Sequence, residues 1–238
     1  PNKAEQMKAA FAKLSHAGAR AVDVDAVSVL SDAARFADVV PEDTTLIVDA
    51  TASLQVLAAA SKSVPLAGRS ARFARAAMYG QGRCAVLMLE GPRRAVRVDD
   101  LAALLFEHCR ANLDVRVAIA GDSTEPTRVF VGDNCRSLTT PMSDAVVSRP
   151  AAPMAIQIER WLVGGLPPTG ELRIGVAEAA GLGLNWTTVA VSPVTVFQVA
   201  DDGGWEVRIL PDVAEAIDAD ARRWGASETG GALIGRIS

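Results

Sequence analysis

The stretch TTLIVDATASLQVLAAASKS, residues 44–63, decides how the chain folds. A short apolar run, Leu46 to Val48, goes straight into an acid, Asp49, and then into small residues. A run of Leu, Val and Ala follows from Leu54 to about Ser63. The first part reads as a strand, TTLIVDAT, and the second as a helix. An acid at the carboxyl end of such a strand sits where open α/β sheets bind their ligands.

Outward from that stretch, the pattern alternates. Residues 3–14 place Ala4, Met7, Phe11 and Leu14 at helical spacing with Lys and Glu between them. GARAVDV, 18–24, reads as a strand, and Asp32 to Val39 as a helix. RFARAAMY and RCAVLMLEG, separated by Gly80 and Gly82, read as two further strands. VDDLAALLFEHCRANL is helical, with Asp99 as its expected N-cap. RVFVGDNCRSLTTPMSD reads as loop or short strand. AVVSRPAAPMAIQIERWLV is helical but is expected to break near Pro150 and Pro153. GELRIGVAEA and NWTTVAVSPVTVFQV alternate like antiparallel strands. Strand–helix alternation over the first half predicts an α/β fold, a mostly parallel sheet with helices on both faces.

DDGG at 201–204 is the candidate linker. Past it WEVRIL reads as a strand, PDVAEAIDADARRWG as a helix opened by Pro211, and GALIGRI as a strand. Three units follow: 1–200, the linker 201–204, and 205–238 as an incomplete α+β segment. The sequence begins inside a helical pattern without an initiator Met and stops inside an apparent strand, so it is read as a fragment of a longer protein.

Composition narrows the function classes. Half of the 238 residues are hydrophobic and 22% are charged, which predicts a folded domain and not a disordered one. The formal net charge of -4, with no basic stripe, argues against a nucleic-acid partner. No stretch approaches the roughly 18 uninterrupted apolar residues of a membrane span. Three cysteines make no disulfide framework, which points to a reducing cytoplasm.

Four residues stand out as chemistry carriers. Asp49 is either a metal-holding acid or a cap for the next helix, through Thr51 and Ser53. Lys3 opens a helix against the dipole, which invites a phosphate contact; a solvated surface lysine is the plainer reading. Cys135 lies in GDNCRSLTTP beside Arg136 and ahead of a helical region, a setting that lowers a thiol pKa. Cys84 and Cys109 lie in apolar patterns and read as small hydrophobes. Glu228 sits in SETGGALIGR, against a Gly-Gly turn whose glycines supply positive φ. His16 and His108 share no ligand spacing with an acid and read as structural or solvated.

NKAEQMKAAFAKL, TTLIVDATAS and NCRSLTTP, in that order, resemble the ThiF/MoeB-like adenylating domain of ubiquitin-activating enzymes, over about residues 1–200. The resemblance implies a Rossmann-like sheet. It also implies Lys3 on the ATP phosphates, Asp49 holding Mg²⁺ and the nucleotide, and Cys135 receiving the activated carbonyl as a thioester. The family's glycine-rich nucleotide loop, with its Asn and Arg contacts, precedes the Lys and is absent from this chain; its DATDN reads DATAS here. No CxxC pairs occur, so the structural zinc of many members is not expected.

The tail, from WEVRIL through SETGGALIGR, resembles the start of a JAB/JAMM metallo-isopeptidase domain. That resemblance makes Glu228 the general base or acid for a zinc-bound water. The zinc ligands, an H-x-H and an Asp, would lie beyond this chain. Such fusions are found in bacterial ubiquitin-like modification and anti-phage systems. Together the resemblances imply ATP-dependent adenylation of a ubiquitin-like protein's C-terminus, coupled to a zinc isopeptidase. The expected partners are that C-terminus, a conjugating-enzyme-like protein and a second copy in a homodimer. With half of each site missing, the chain by itself is expected to be inactive. Alternatives are a Rossmann-type nucleotide-binding oxidoreductase and a non-catalytic scaffold.

Overall fold

The computed structural model describes residues 3–13, 18–121, 142–180, 182–198 and 206–224. In chain order it forms α1 (Lys3–Lys13), α2 (Ala26–Ser31), α3 (Ala33–Val39), β1 (Leu46–Asp49), α4 (Leu54–Lys62), α5 (Val64–Ala67), β2 (Arg72–Tyr79) and β3 (Cys84–Leu89). These are followed by α6 (Val98–Ala111), α7 (Leu113–Ala120), α8 (Asp144–Gly164), β4 (Gly170–Ala177), β5 (Leu184–Val191), β6 (Thr195–Gln198), β7 (Glu206–Ile209) and α9 (Pro211–Trp224).

The fold is mixed α/β. Its main sheet has five strands in the order β1-β2-β3-β4-β5. Only β1 and β2 run parallel, with Asp49 beside Arg75; β2–β3, β3–β4 and β4–β5 are antiparallel. The expected mostly parallel sheet is therefore corrected. The cause lies in the connections. β1 reaches β2 through helices α4 and α5, a crossover that permits parallel pairing. β2 reaches β3 through Gly80–Arg83 alone, and a link that short joins antiparallel strands. That turn holds Gly80, Gln81 and Gly82 at positive φ. A Cβ on Gly80 would lie 1.8 Å from the Ala118 carbonyl oxygen, so sterics as well as φ require glycine there.

Both faces of the sheet are packed. All six residues of β3 are buried. Cys84, Val86 and Met88 join a core with Val29, Phe36, Leu57, Leu66, Leu101 and Leu105 from the helices of one face. Ala85, Leu87 and Leu89 pack with Met154 and Trp161 of α8 on the other. α8 runs unbroken through Pro150 and Pro153, against the expected break. It is held at both ends: Arg149 Nη2 donates to the Gly82 carbonyl at 3.2 Å, and Trp161 is buried farther along. Those contacts offset the hydrogen bonds that the prolines remove.

Other expectations changed locally. GARAVDV is not a strand; residues 18–24 pair with no strand among the described residues, and Asp25 instead caps α2 through Val27 N and Ser28 N. Asp99 is not the N-cap of α6. Arg97 occupies that position, and its N–H donates to Asp100 Oδ2 at 2.7 Å. The first-turn Val98 N–H is satisfied by the distant Glu90 carboxylate at 3.0 Å, so the helix needs no Asp cap one residue on.

β6 pairs with β7 in a separate two-stranded ladder. The ladder is tied to α6: Arg208 donates to Asp100 Oδ1 at 2.9 Å and Oδ2 at 2.8 Å, and Arg97 Nη1 to Glu206 Oε1 at 2.9 Å. Pro211 opens α9 as expected. The linker 201–204 and the GALIGRI strand lie outside the described residues. Among the described residues, no helix is long and apolar enough to cross a membrane.

Candidate functional site

Asp49 ends β1 and is 5% exposed. The chain then turns through Ala50–Ser53 into α4. Asp49 Oδ1 accepts from Thr51 N at 2.8 Å and from Thr51 Oγ1 at 2.6 Å, an Asx-turn that fixes the bend. Ser53 N donates to Thr51 Oγ1 at 3.2 Å, and Ser53 Oγ caps α4 by accepting from Val56 N at 3.3 Å. The helix therefore carries its own cap, and the capping alternative for Asp49 does not apply directly: its carboxylate shapes the turn before the cap. Ala52 takes a φ of 56° in this turn, a left-handed conformation that costs a non-glycine residue energy.

The other carboxylate oxygen, Oδ2, accepts from Arg75 Nη1. Arg75 is the residue directly beside Asp49 in the parallel ladder, and both side chains are buried. The same Nη1 donates to the Ser53 carbonyl at 3.0 Å. Farther along β2, burial pushes the Tyr79 phenol pKa up, and the neighbouring Arg75 guanidinium offsets part of that rise. Strand end, helix start and β2 thus converge on one carboxylate. Arg75 was missed in the sequence; its place in an alternating strand gives no sign that its partner lies 26 residues earlier.

A second buried acid, Glu90, follows β3 and was also missed. Its Oε1 accepts from Val98 N at 3.0 Å and from Arg94 Nη2 at 3.1 Å. Oε2 faces Arg94 Nε at 3.0 Å but off the N–H direction, an ion contact and not an aligned hydrogen bond. Burial raises the Glu90 pKa to about 7, with Arg94 and the Val98 N–H pulling against it. Arg94 also donates to the Ala60 and Ser63 carbonyls at the end of α4, at 2.6 and 3.2 Å. Its φ of 58°, with 52° at Arg93, belongs to a turn held by those contacts. The position of Glu90, enclosed and ion-paired with Arg94, makes it a structural fastener for β3, α4 and α6.

Of the residues singled out from sequence, Lys3 is the first residue of α1, as expected. Cys135, Glu228 and His16 lie outside the described residues. Cys84 is buried and its thiol pKa is pushed up to about 12 by burial; that of Cys109 is raised for the same reason. Both fit the reading of small hydrophobes. Two surface grooves lie away from Asp49. One, of about 470 Å³, is walled by α2, α4 and α5; the other, of about 570 Å³, lies between α8 and β5.

Among the described residues there is no cluster of three or more His, Cys, Asp or Glu able to hold a metal ion alone. Mg²⁺ asks less, because one or two carboxylates suffice when phosphates and water complete the shell. Asp49 is a carboxylate at a strand's carboxyl end, but its Oδ1 is taken by Thr51 and its Oδ2 by Arg75. No family model, curated protein or solved structure was found to match this chain.

Proposed function

We propose that this chain is part of an ATP-dependent activating enzyme that adenylates the C-terminus of a ubiquitin-like protein. One observation carries the reading: TTLIVDATAS forms a strand, a buried acid at its carboxyl end, a tight turn and a helix, with the strand in the one parallel pairing of the sheet. That local arrangement supports the ThiF/MoeB resemblance at this segment. In the reaction, a carboxylate oxygen of the peptide C-terminus attacks the α-phosphorus of ATP, the bond to the bridging oxygen breaks, and pyrophosphate leaves. Lys3 would contact the phosphates and Asp49 would hold Mg²⁺, which would supply charge neutralisation. A thiolate at Cys135 then takes the acyl group and AMP departs, giving the thioester a conjugating-enzyme-like partner would receive. The segment from 205 onward is the opening of a JAB/JAMM isopeptidase, in which Glu228 would act as general base or acid and a zinc ion, held by residues beyond this chain, would supply activation of the attacking water. The proposed setting is a bacterial cytoplasm and a homodimer.

The test is ATP–pyrophosphate exchange by the full-length protein with candidate C-terminal peptides. Exchange that Asp49→Ala abolishes supports the reading. Absence of exchange with every candidate peptide, or exchange untouched by Asp49→Ala, counts against it. A non-catalytic scaffold is the second reading, favoured by the Asp49–Arg75 ion pair, which leaves the acid internally neutralised.

A further inference from the structure

The two edges of the main sheet are unlike. β1 is a four-residue strand whose last residue is an acid, a short edge of the kind that resists further pairing. β5 is eight residues long, and its sequence, LNWTTVAV, holds no charged residue, no proline and no glycine. Among the described residues β5 pairs with β4 alone, so its outer row of N–H and C=O groups has no strand beside it. Nor does its bulkiest side chain shield that row. Trp186 lies beside Gly175 of β4, and a Cβ on that glycine would come within 2.8 Å of the indole. The ring therefore leans inward over β4.

The chemistry of the strand selects its occupant. A partner recognised by charge needs a charge to meet, and β5 offers none. A strand pairing with its own copy about a two-fold axis has the opposite need, because a charge near the axis would face itself. Shape agrees. Leu184 and Trp186 face the α8 side of the sheet, while Val189 and Val191 join the core on the other side. On the α8 side the bulky residues Leu184 and Trp186 occupy the first half of the strand, and Thr188 and Ala190, both exposed, the second half. Antiparallel self-pairing preserves the faces and sets bulky against small. With Thr187 on the axis, Trp186 faces Thr188 of the second copy and Leu184 faces its Ala190.

We propose that the outer edge of β5 is the docking surface for a second copy of this chain, joined antiparallel so that two five-stranded sheets become one of ten strands. The pairing consumes both β5 edges and leaves only the two short β1 edges, so assembly closes at a dimer. The interface is independent of the adenylation chemistry: pyrophosphate exchange reads one, and oligomeric state the other.

The test is sedimentation velocity of the full-length protein over a dilution series, for the wild type, Thr187→Lys and Thr187→Glu. Thr187 is exposed, so both variants should fold; circular dichroism melting checks this. Each places like charges across the two-fold axis and should weaken the dimer at least about tenfold. Mixing the two variants sets Lys against Glu and should restore the dimer. A monomeric wild type overturns the inference. So do single variants that dimerise as tightly as the wild type, which would put the interface elsewhere, or a mixture that stays monomeric. Should the variants fail to fold, hydrogen exchange of the wild type decides. Outer amides of β5 should be protected at dimeric concentrations and lose that protection on dilution. Protection unchanged in the diluted monomer would mean that the chain covers its own edge, and the inference falls.

Discussion

Glu90 should make the stability of this protein depend on pH in an unusual direction. Most paired carboxylates have lowered pKa values and stabilise the fold at neutral pH. Burial raises Glu90 from the usual 4.5 to about 7. Below the lower value the group is protonated in both the folded and unfolded chain and contributes no pH dependence. As pH rises, the unfolded chain ionises first, because its carboxyl is in water. The folded chain then holds a proton the unfolded chain has lost, so stability declines until the folded group also ionises near pH 7. Integrating between those pKa values gives a loss of about 2 to 3 kcal/mol from about pH 5 to about pH 8. The assay is urea unfolding of the wild type and Glu90→Gln across that range. Glutamine keeps an acceptor for the Val98 N–H but has no charge to desolvate. It also leaves Arg94 without its anion, a cost that is nearly constant with pH. The variant's absolute stability is therefore not the readout; the difference between the two proteins is. That difference should shift in favour of Glu90→Gln by about 2 to 3 kcal/mol as pH rises. Parallel curves, or a shift in favour of the wild type, would refute the assignment of a raised pKa to Glu90.

Gly80→Ala should destabilise the fold by about 3 kcal/mol or more, since its Cβ meets the Ala118 carbonyl at a positive φ; a change in thermal midpoint of only a degree or two contradicts this. Ala52→Asn should raise stability by about 0.5 to 1 kcal/mol, because asparagine tolerates the left-handed conformation better than alanine and the position is exposed; chemical denaturation measures it. The Cys84 thiol, with its pKa near 12, should react with a disulfide reagent at neutral pH only as fast as the protein opens; rapid labelling of the native protein would contradict its burial.

The elements whose apolar residues meet their own neighbours were legible. β1, α4, β2, β3 and α9 lie within a residue or two of where periodicity puts them. Strand direction was inferred from strand–helix alternation, which holds only from β1 to β2. The contrary signal was present, in Gly80-Gln81-Gly82 between two apolar runs, a spacing that admits only a hairpin. GARAVDV failed for a different reason. Alternation describes a side-chain pattern, but a strand also needs a partner for its backbone, and residues 18–24 have none among the described residues.

At the candidate site the division is sharper. Asp49 was legible because it stands at the end of an apolar run, where backbone geometry alone gives it meaning. Arg75 was not, because its significance depends on register. RFARAAMY contains two arginines, and both are buried. Arg72 donates to the carbonyl oxygens of Glu90, Pro167 and Thr169, joining chain ends that come together only in the sheet. Arg75 instead finds the one acid beside it in the parallel ladder. Sliding β2 by one residue would turn Arg75 to the opposite face and leave Asp49 a buried, unpaired charge, at a cost of several kcal/mol. The pair is thus a register lock. That role explains why a buried ion pair is retained where an apolar pair of similar volume would suffice for stability. A substitution that kept the volume but removed the charges, Asp49→Leu with Arg75→Met, tests this: thermal stability should hold or rise while amide-exchange protection along β1 falls, and unchanged protection would contradict the lock.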